Sequence, residues 1–123
     1  MMRIKIILEN LEFTANLYDT PTAKAILENL PLKGNAHRWG DEIYFTAPLS
    51  VPLEPDAREI VENGELGFWP VGSAFCIFFG KTPVSTTSKP QAYSPVNVFG
   101  KMEGDLSELK SVAPGMKIKI RNS

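Results

Sequence analysis

Hydrophobic and polar residues alternate along much of this chain in short runs, the period-2 pattern of β-strands with one buried face. Arg3–Leu8 and Leu11–Leu17 flank the turn residues Glu9-Asn10, so the chain is predicted to begin with a β-hairpin. The same pattern predicts further short strands at Ala36–Trp39, Glu42–Thr46, Asp56–Val61, Val96–Met102 and Met116–Arg121.

The stretch Gly64–Thr82 is the most apolar and aromatic part of the sequence and reads as two strands joined by a tight loop. Its second half, Ala74–Phe79, carries no charge and is bounded by glycine on both sides. An unbroken apolar run of that length is typical of a strand buried on both faces, which in a small domain lies at the centre.

Two short helices are predicted, each from its start signal. Thr20 serves as the N-cap of the first, with Pro21 at the first helical position, and Pro31 ends it. Asp105 is predicted to cap the second, with Glu108 three residues on.

The segments between these elements are predicted to be irregular. Lys33-Gly34-Asn35 is read as a turn, and Lys81–Pro95, rich in Ser, Thr and Pro, as a long loop. Gly100 marks a possible β-bulge.

Strands outnumber helices, and no alternation of strand and helix is sustained. This pattern predicts a mainly β protein. Because full closure of a sheet removes exposed strand edges, a closed barrel is the arrangement that we expect. The expected fold is a single domain spanning residues 1–123, a closed β-barrel of about eight strands with two short capping helices.

Charge and composition narrow the function classes. Thirteen basic and fourteen acidic residues give a net charge of -1, so neither a nucleic-acid nor a membrane partner is expected. One cysteine and an N-terminus that does not resemble a signal peptide favour the cytoplasm. A single histidine cannot supply a metal site, and no phosphate loop is present, so no metal or cofactor is expected.

Three stretches carry a resemblance to cyclophilins: FTANLYDTPTAKAIL at 13–27, GSAFCIFFGKT at 72–82 and VFGKMEGDLSELKSV at 98–112. The segment GELGFWPVGSAFCIFFGKTP at 64–83 is similar to the marker of a small prokaryotic cyclophilin-like family. That resemblance implies a cyclophilin-like barrel. It also raises the possibility of isomerisation at X-Pro bonds, which cyclophilins perform with an apolar floor and an arginine directed at the peptide.

The catalytic positions of cyclophilins carry over poorly. The strand that matches their Phe-His-Arg segment is Glu42–Thr46, which has no arginine, and Ala74 replaces their core-strand glutamine. Their pocket histidine falls near Val96, their pocket phenylalanine falls on Cys76 or Phe75, and their loop tryptophan is missing. The expected function is therefore binding of a small molecule or a proline-containing peptide in a surface groove, without classical catalysis.

Two alternatives stay open. The first is an atypical peptidyl-prolyl isomerase in which Arg38 or Lys81 is the donor. For Arg38 the pattern favours the other interpretation, a surface residue that lies over Trp39 or pairs with Asp41 or Glu42, because exposed arginines are the rule. The second is an assembly protein that uses an exposed apolar strand, as a monomer or a small homo-oligomer.

Candidate ligand-binding residues are aromatic or polar residues at or near strands that could floor or rim a groove. They are Trp69, Phe75, Tyr44, Phe45, Glu65 and Thr82. Cys76 lies within the apolar run and is expected to be a buried, unreactive thiol.

Overall fold

A computed structural model describes residues 2–123, which form ten strands, one α-helix and one short 3₁₀ helix. The strands are β1 Arg3–Leu8, β2 Leu11–Leu17, β3 Leu32–Asn35, β4 His37–Trp39, β5 Glu42–Thr46, β6 Arg58–Ile60, β7 Glu65–Trp69, β8 Ala74–Phe78, β9 Gln91–Met102 and β10 Lys117–Asn122. The helix α1 spans Pro21–Glu28, and the 3₁₀ helix spans Ser107–Ser111. None of the helices in this range has the length and apolarity that a membrane crossing requires.

The predicted closed barrel is wrong: the strands form one large antiparallel sheet that stays open. Its order is β3-β10-β1-β2-β9-β7-β8-β5-β4, with β6 paired to β9. The two end strands, β3 and β4, are neighbours in the chain but are not paired with each other within residues 2–123. The sheet therefore has ten strands rather than the eight expected, and two free edges.

The break falls at Ala36, between β3 and β4. The Ala36 N–H donates to the Met116 carbonyl, and the Ala36 carbonyl accepts from the Gly115 N–H, both at 2.7 Å. Because both backbone groups are occupied by the turn before β10, the chain leaves one end of the sheet and enters the other without a continuous ladder.

β3 itself corrects the turn predicted at Lys33-Gly34-Asn35. Gly34 lies within this strand because the Phe45 ring packs against its backbone, where a Cβ would come within 2.6 Å of the ring. A glycine was read as a turn signal, whereas here it makes room for an aromatic side chain.

The first helix is confirmed and the second is wrong. Thr20 caps α1 by accepting from the Ala23 N–H at 3.1 Å, and Pro21 occupies the first turn. The second segment forms only the five-residue 3₁₀ helix, and Leu106 rather than Asp105 precedes it. Asp105 instead accepts from the Ser107 N–H at 2.9 Å, a local turn contact that competes with helical capping.

Strand β8 is buried on both faces, as the apolar run predicts. Phe75 and Ile77 belong to the main core. Ala74, Cys76 and Phe78 point the other way, into a second cluster that includes Val61, Ala92 and Val96. The second cluster provides the setting for the candidate site.

Strand β9 is longer than predicted, and its first half contributes Ala92 and Val96 to the second cluster. It begins at Gln91, so the predicted loop at Lys81–Pro95 is partly strand. Its first half pairs with β6 and its second half with β7 and β2. The register with β7 shifts by one residue at Phe99, next to the predicted bulge at Gly100. Such a shift bends a strand, and Ala92 and Val96 from the first half of β9 pack with Cys76 and Phe78 of β8.

Candidate functional site

A cavity of about 250 Å³ opens on the outer face of β5 and β8, beside the second cluster. Its walls come from the five strands β4, β5, β7, β8 and β9. They are Trp39, Glu42, Tyr44, Trp69, Ala74, Cys76, Ala92, Tyr93 and Val96.

Strand alternation explains why these residues share one face. Tyr44 lies directly opposite Cys76 in the β5–β8 ladder, and Glu42 is two residues before Tyr44. Side chains two apart on a strand point the same way. Trp39 lies opposite Glu42 across the tight turn between β4 and β5, so it joins the same face.

The aromatic walls meet at steep angles rather than stacking flat. The Tyr93 ring lies 6.3 Å from the Trp39 ring at 71° and 6.2 Å from the Trp69 ring at 82°. Tyr93 is 73% exposed and forms the rim of the cavity. These edge-to-face contacts are favourable arrangements of aromatic quadrupoles, and they hold three rings around one corner of the cavity.

Trp69 is fixed in place from two sides. Its indole N–H donates to the Ser94 hydroxyl at 2.6 Å. Its ring lies against Gly72, where a Cβ would come within 2.7 Å of the indole carbons. The hydrogen bond and the absence of a side chain at Gly72 together fix the orientation of the Trp69 ring.

Glu42 is the charged group of the cavity and is only 7% exposed. Within residues 2–123 its carboxylate makes no ion pair and accepts no N–H or O–H hydrogen bond; its polar neighbour is the Cys76 thiol. Burial raises the pKa of Glu42 to about 7, and the thiol contact offsets part of that rise. Burial therefore disfavours the anionic form of this carboxylate.

Cys76 is buried, as expected for a residue within the apolar run. Burial raises the pKa of its thiol well above the usual value, and the nearby Glu42 raises it further. The thiol lies 3.6 Å from the Ala74 carbonyl oxygen, to which it donates. It is a protonated wall of the cavity rather than a nucleophile.

Glu65, predicted to bind ligand, lies in a different environment. Arg58 forms two hydrogen bonds to its carboxylate, at 3.1 and 3.2 Å, and the Tyr18 hydroxyl and the Glu62 N–H each donate at 2.8 Å. Burial alone would raise the pKa of Glu65, but the hydrogen bonds from Arg58, Glu62 and Tyr18 lower it overall. Burial, together with the hydrogen bond from the Tyr18 hydroxyl to Glu65, raises the pKa of Tyr18 to about 12.

Arg38, predicted as a catalytic donor, lies away from the cavity. It points to the opposite face of β4 from Trp39, and its guanidinium lies 5.1 Å from the centre of the Phe79 ring. It donates to the Gly40 carbonyl at 2.9 and 3.1 Å and to the Val112 carbonyl at 2.8 Å, and it pairs with Asp41 at 3.2 Å. Its donors tie the β4–β5 turn to the segment that follows the 3₁₀ helix.

The remaining predicted residues divide between core, loop and cavity. Phe45 and Phe75 are fully buried in the main core, with ring centres 5.2 Å apart. Thr82 lies in the loop after β8, where its hydroxyl donates to the Gln91 carbonyl. Tyr44 and Trp69 line the cavity, so the structure brings together these two of the predicted site residues.

Sequence reasoning missed Trp39, Glu42 and Tyr93 as parts of one site. A signal for the first two was present, because a tight turn at Gly40-Asp41 places Trp39 opposite Glu42. Tyr93 gave no such signal, since it falls in the segment predicted as a loop.

A family model described as Cyclophilin-like matches residues 2–121. The chain belongs to this cyclophilin-like family. A solved cyclophilin-like structure, that of a hypothetical protein from Archaeoglobus fulgidus, is 39% identical with a TM-score of 0.84, and the match covers 99% of this chain and 95% of that one.

A second structure, McbB in complex with tryptophan, shares the fold alone. It is 12% identical with a TM-score of 0.66, and the match covers 98% of this chain but only 44% of that one. No curated protein matches this cyclophilin-like chain significantly.

Proposed function

We propose that this cyclophilin-like protein binds a small molecule, or a short segment of a peptide, in the cavity on the outer face of β5 and β8, without catalysing prolyl isomerisation. The observation that carries this proposal is Glu42, a buried carboxylate that faces an aromatic cavity and has no ion-pairing partner among residues 2–123. Buried charges in proteins are nearly always paired. An unpaired one at the edge of a cavity is the arrangement expected where a ligand supplies the missing partner.

The shape and lining of the cavity support the same reading. Ligand sites are concave and mostly apolar, with a few placed polar groups that orient the ligand. Here the polar group is Glu42, and the apolar walls include two tryptophans. Trp69 is already oriented by Ser94 and Gly72, so little ordering is left for the binding step.

The environment of Arg38 argues against the isomerase alternative. Lowering the barrier to X-Pro rotation requires a donor directed at the prolyl nitrogen in the twisted transition state. The Arg38 guanidinium is committed to the Gly40 and Val112 carbonyls and to Asp41. Protease-coupled isomerisation of a proline peptide is therefore expected to run at the uncatalysed rate, and acceleration that disappears in Arg38→Ala would contradict the proposal.

Intrinsic fluorescence gives a site-specific binding test, because both tryptophans of the chain, Trp39 and Trp69, line the cavity. A library of neutral, anionic and cationic fragments should contain compounds that change the emission saturably. Ala92→Leu, which places a larger side chain at a cavity wall, should abolish these responses. Lys119→Ala, on a different surface, is the matched control and should leave them intact.

Two results would contradict the proposal that the cavity binds a ligand. If no fragment produces a saturable change, or if Ala92→Leu binds the same fragments with unchanged affinity, the cavity is not the binding site. Circular dichroism of Ala92→Leu checks that the variant has kept its fold.

A further inference from the structure

We propose that the occupant of the cavity is a small organic ammonium ion, with Glu42 as its counter-ion and the surrounding aromatic rings as the walls that enclose the charge. This inference rests on the proposed function and specifies the ligand class. It is carried by two independent features of the site, namely the unpaired carboxylate and the group of aromatic rings around it.

The carboxylate sets the sign of the ligand. Within the described part of the chain, no arginine, lysine or histidine forms an ion pair with Glu42. When Glu42 is ionised, an anionic ligand would face its uncompensated negative charge in a partly desolvated site, where like charges repel most strongly. A cation would instead restore the pairing that other buried carboxylates find within the protein.

The aromatic rings set the kind of cation. Four aromatic residues line the cavity: Trp39, Tyr44, Trp69 and Tyr93. A compact hydrated metal ion prefers several oxygen, nitrogen or sulfur ligands, whereas these walls offer aromatic rings. The electron-rich faces of such rings attract alkylated or primary ammonium groups.

The volume limits the size of the ligand. About 250 Å³ suits a compound of the size of choline or benzylamine rather than a folded partner. Tyr93, at the rim and 73% exposed, leaves the cavity open to solvent, so a free amine can enter without opening of the core.

The test compares cations with their neutral counterparts on the same tryptophan signal. The first pair is choline and 3,3-dimethylbutan-1-ol, in which carbon replaces the quaternary nitrogen. The second pair is benzylamine and benzyl alcohol. Each cation is expected to bind at least about tenfold more tightly than its neutral counterpart, because only the cation gains the ion pair and the cation–π contacts.

Two variants locate the effect. Glu42→Gln should weaken binding of the cations by about tenfold or more and leave binding of the neutral compounds within about twofold. Tyr93→Leu keeps an apolar rim but removes one ring, and it should weaken cation binding by about threefold to tenfold. Because Tyr93 is exposed, this second variant is expected to fold even if the first does not.

The outcomes separate this inference from the proposed function. Equal binding of cation and neutral counterpart, or cation binding that Glu42→Gln leaves unchanged, would overturn the ammonium ligand while the cavity stays a binding site. If anionic or neutral fragments bind and neither choline nor benzylamine does, the ammonium ligand is also overturned. Binding of none of these classes would overturn both proposals.

Discussion

Two buried carboxylates, Glu42 and Glu65, show how differently this protein treats the same chemical group. Their residues are 7% and 4% exposed. Glu65 accepts hydrogen bonds from Arg58, Tyr18 and the Glu62 backbone, whereas Glu42 faces an aromatic cavity and the Cys76 thiol. Their pKa values move in opposite directions, lowered for Glu65 and raised for Glu42.

We interpret the difference as one between a structural role for Glu65 and the proposed ligand-binding role for Glu42. A buried charge that the protein satisfies completely contributes to holding its elements together, here β6, β7 and the segment after β2. A buried charge without an ion-pair partner costs stability, and a binding site is one reason to keep it. The same substitution at the two positions should therefore have opposite effects.

The largest effect is expected from Glu65→Gln. Removing the charge weakens the contacts with Arg58, Tyr18 and the Glu62 N–H, so the free energy of unfolding should fall by about 3 kcal/mol near neutral pH. Urea denaturation of the wild type and the variant measures this loss of unfolding free energy. Because the pKa of Glu65 is lowered in the folded state, its stabilisation is present above the unfolded-state pKa and is lost as pH falls through the folded-state pKa. A loss that stays constant into acid would contradict this assignment.

The matched variant, Glu42→Gln, is expected to stabilise the protein. The pKa of Glu42 is raised from 4.5 to about 7, so between these values the folded state binds more protons than the unfolded state. The contribution of Glu42 to stability therefore falls as pH rises through that window. Glu42→Gln should gain about 2 kcal/mol at pH 8 and little at pH 5. The same gain at both pH values, or a loss at pH 8, would show that burial does not penalise the charge on Glu42.

The affinity for an ammonium ligand should follow the ionisation of Glu42. Choline is expected to bind about tenfold more weakly at pH 6 than at pH 8, because a smaller fraction of Glu42 is ionised at the lower pH. The other titratable groups around it are Cys76 from β8, Tyr44 on its own strand, Tyr93 from β9 and His37, which stacks on Tyr44 at 5.1 Å.

Burial keeps the Cys76 thiol protonated in this pH range, which leaves His37 as the group to control. His37→Gln should retain the pH dependence of choline binding. Its loss in that variant would assign the dependence to the histidine instead.

The smallest effect concerns the orientation of Trp69. Gly72→Ala places a methyl group where the indole lies, and it should displace the ring and weaken cation binding by about threefold. The tryptophan emission maximum should shift in the same variant. Gly104→Ala is a control for glycine replacement, since, apart from its chain neighbours, no atom of residues 2–123 lies within 4 Å of the added methyl group, although the positive φ of Gly104 also carries a backbone cost. Unchanged affinity in Gly72→Ala would show that the position of Trp69 does not limit binding.

The local pattern of the sequence predicts most strands, the first helix and the two-sided burial of β8, because these depend on alternation and capping that neighbouring residues set. Closure could not be predicted. It depends on whether the backbone of Ala36 pairs along the ladder or with Gly115 and Met116, which are distant in the sequence. The strand at Gly34 was missed because the packing of Phe45, and not local propensity, decides the use of that glycine.

Only part of the candidate site could be predicted from the sequence, for a related reason. Tyr44 and Trp69 belong to strands that the pattern predicts, and both line the cavity. Glu65 and Glu42 look alike as single acidic residues on strands, and only long-range contacts distinguish them: Tyr18 and Arg58 reach Glu65, whereas no cation reaches Glu42 among the residues that the structure describes. The pairing of a buried charge is decided by the tertiary fold.

The most direct test of this account is a carboxyl ¹³C NMR titration that follows Glu42 and Glu65 in the same sample, first alone and then with choline. The account predicts that Glu42 titrates near pH 7, that Glu65 titrates below the usual range of glutamate, and that choline lowers the pKa of Glu42 without moving that of Glu65. An ordinary pKa for Glu42 in the free protein, unmoved by choline, would contradict the claim that this carboxylate is held unpaired for a ligand.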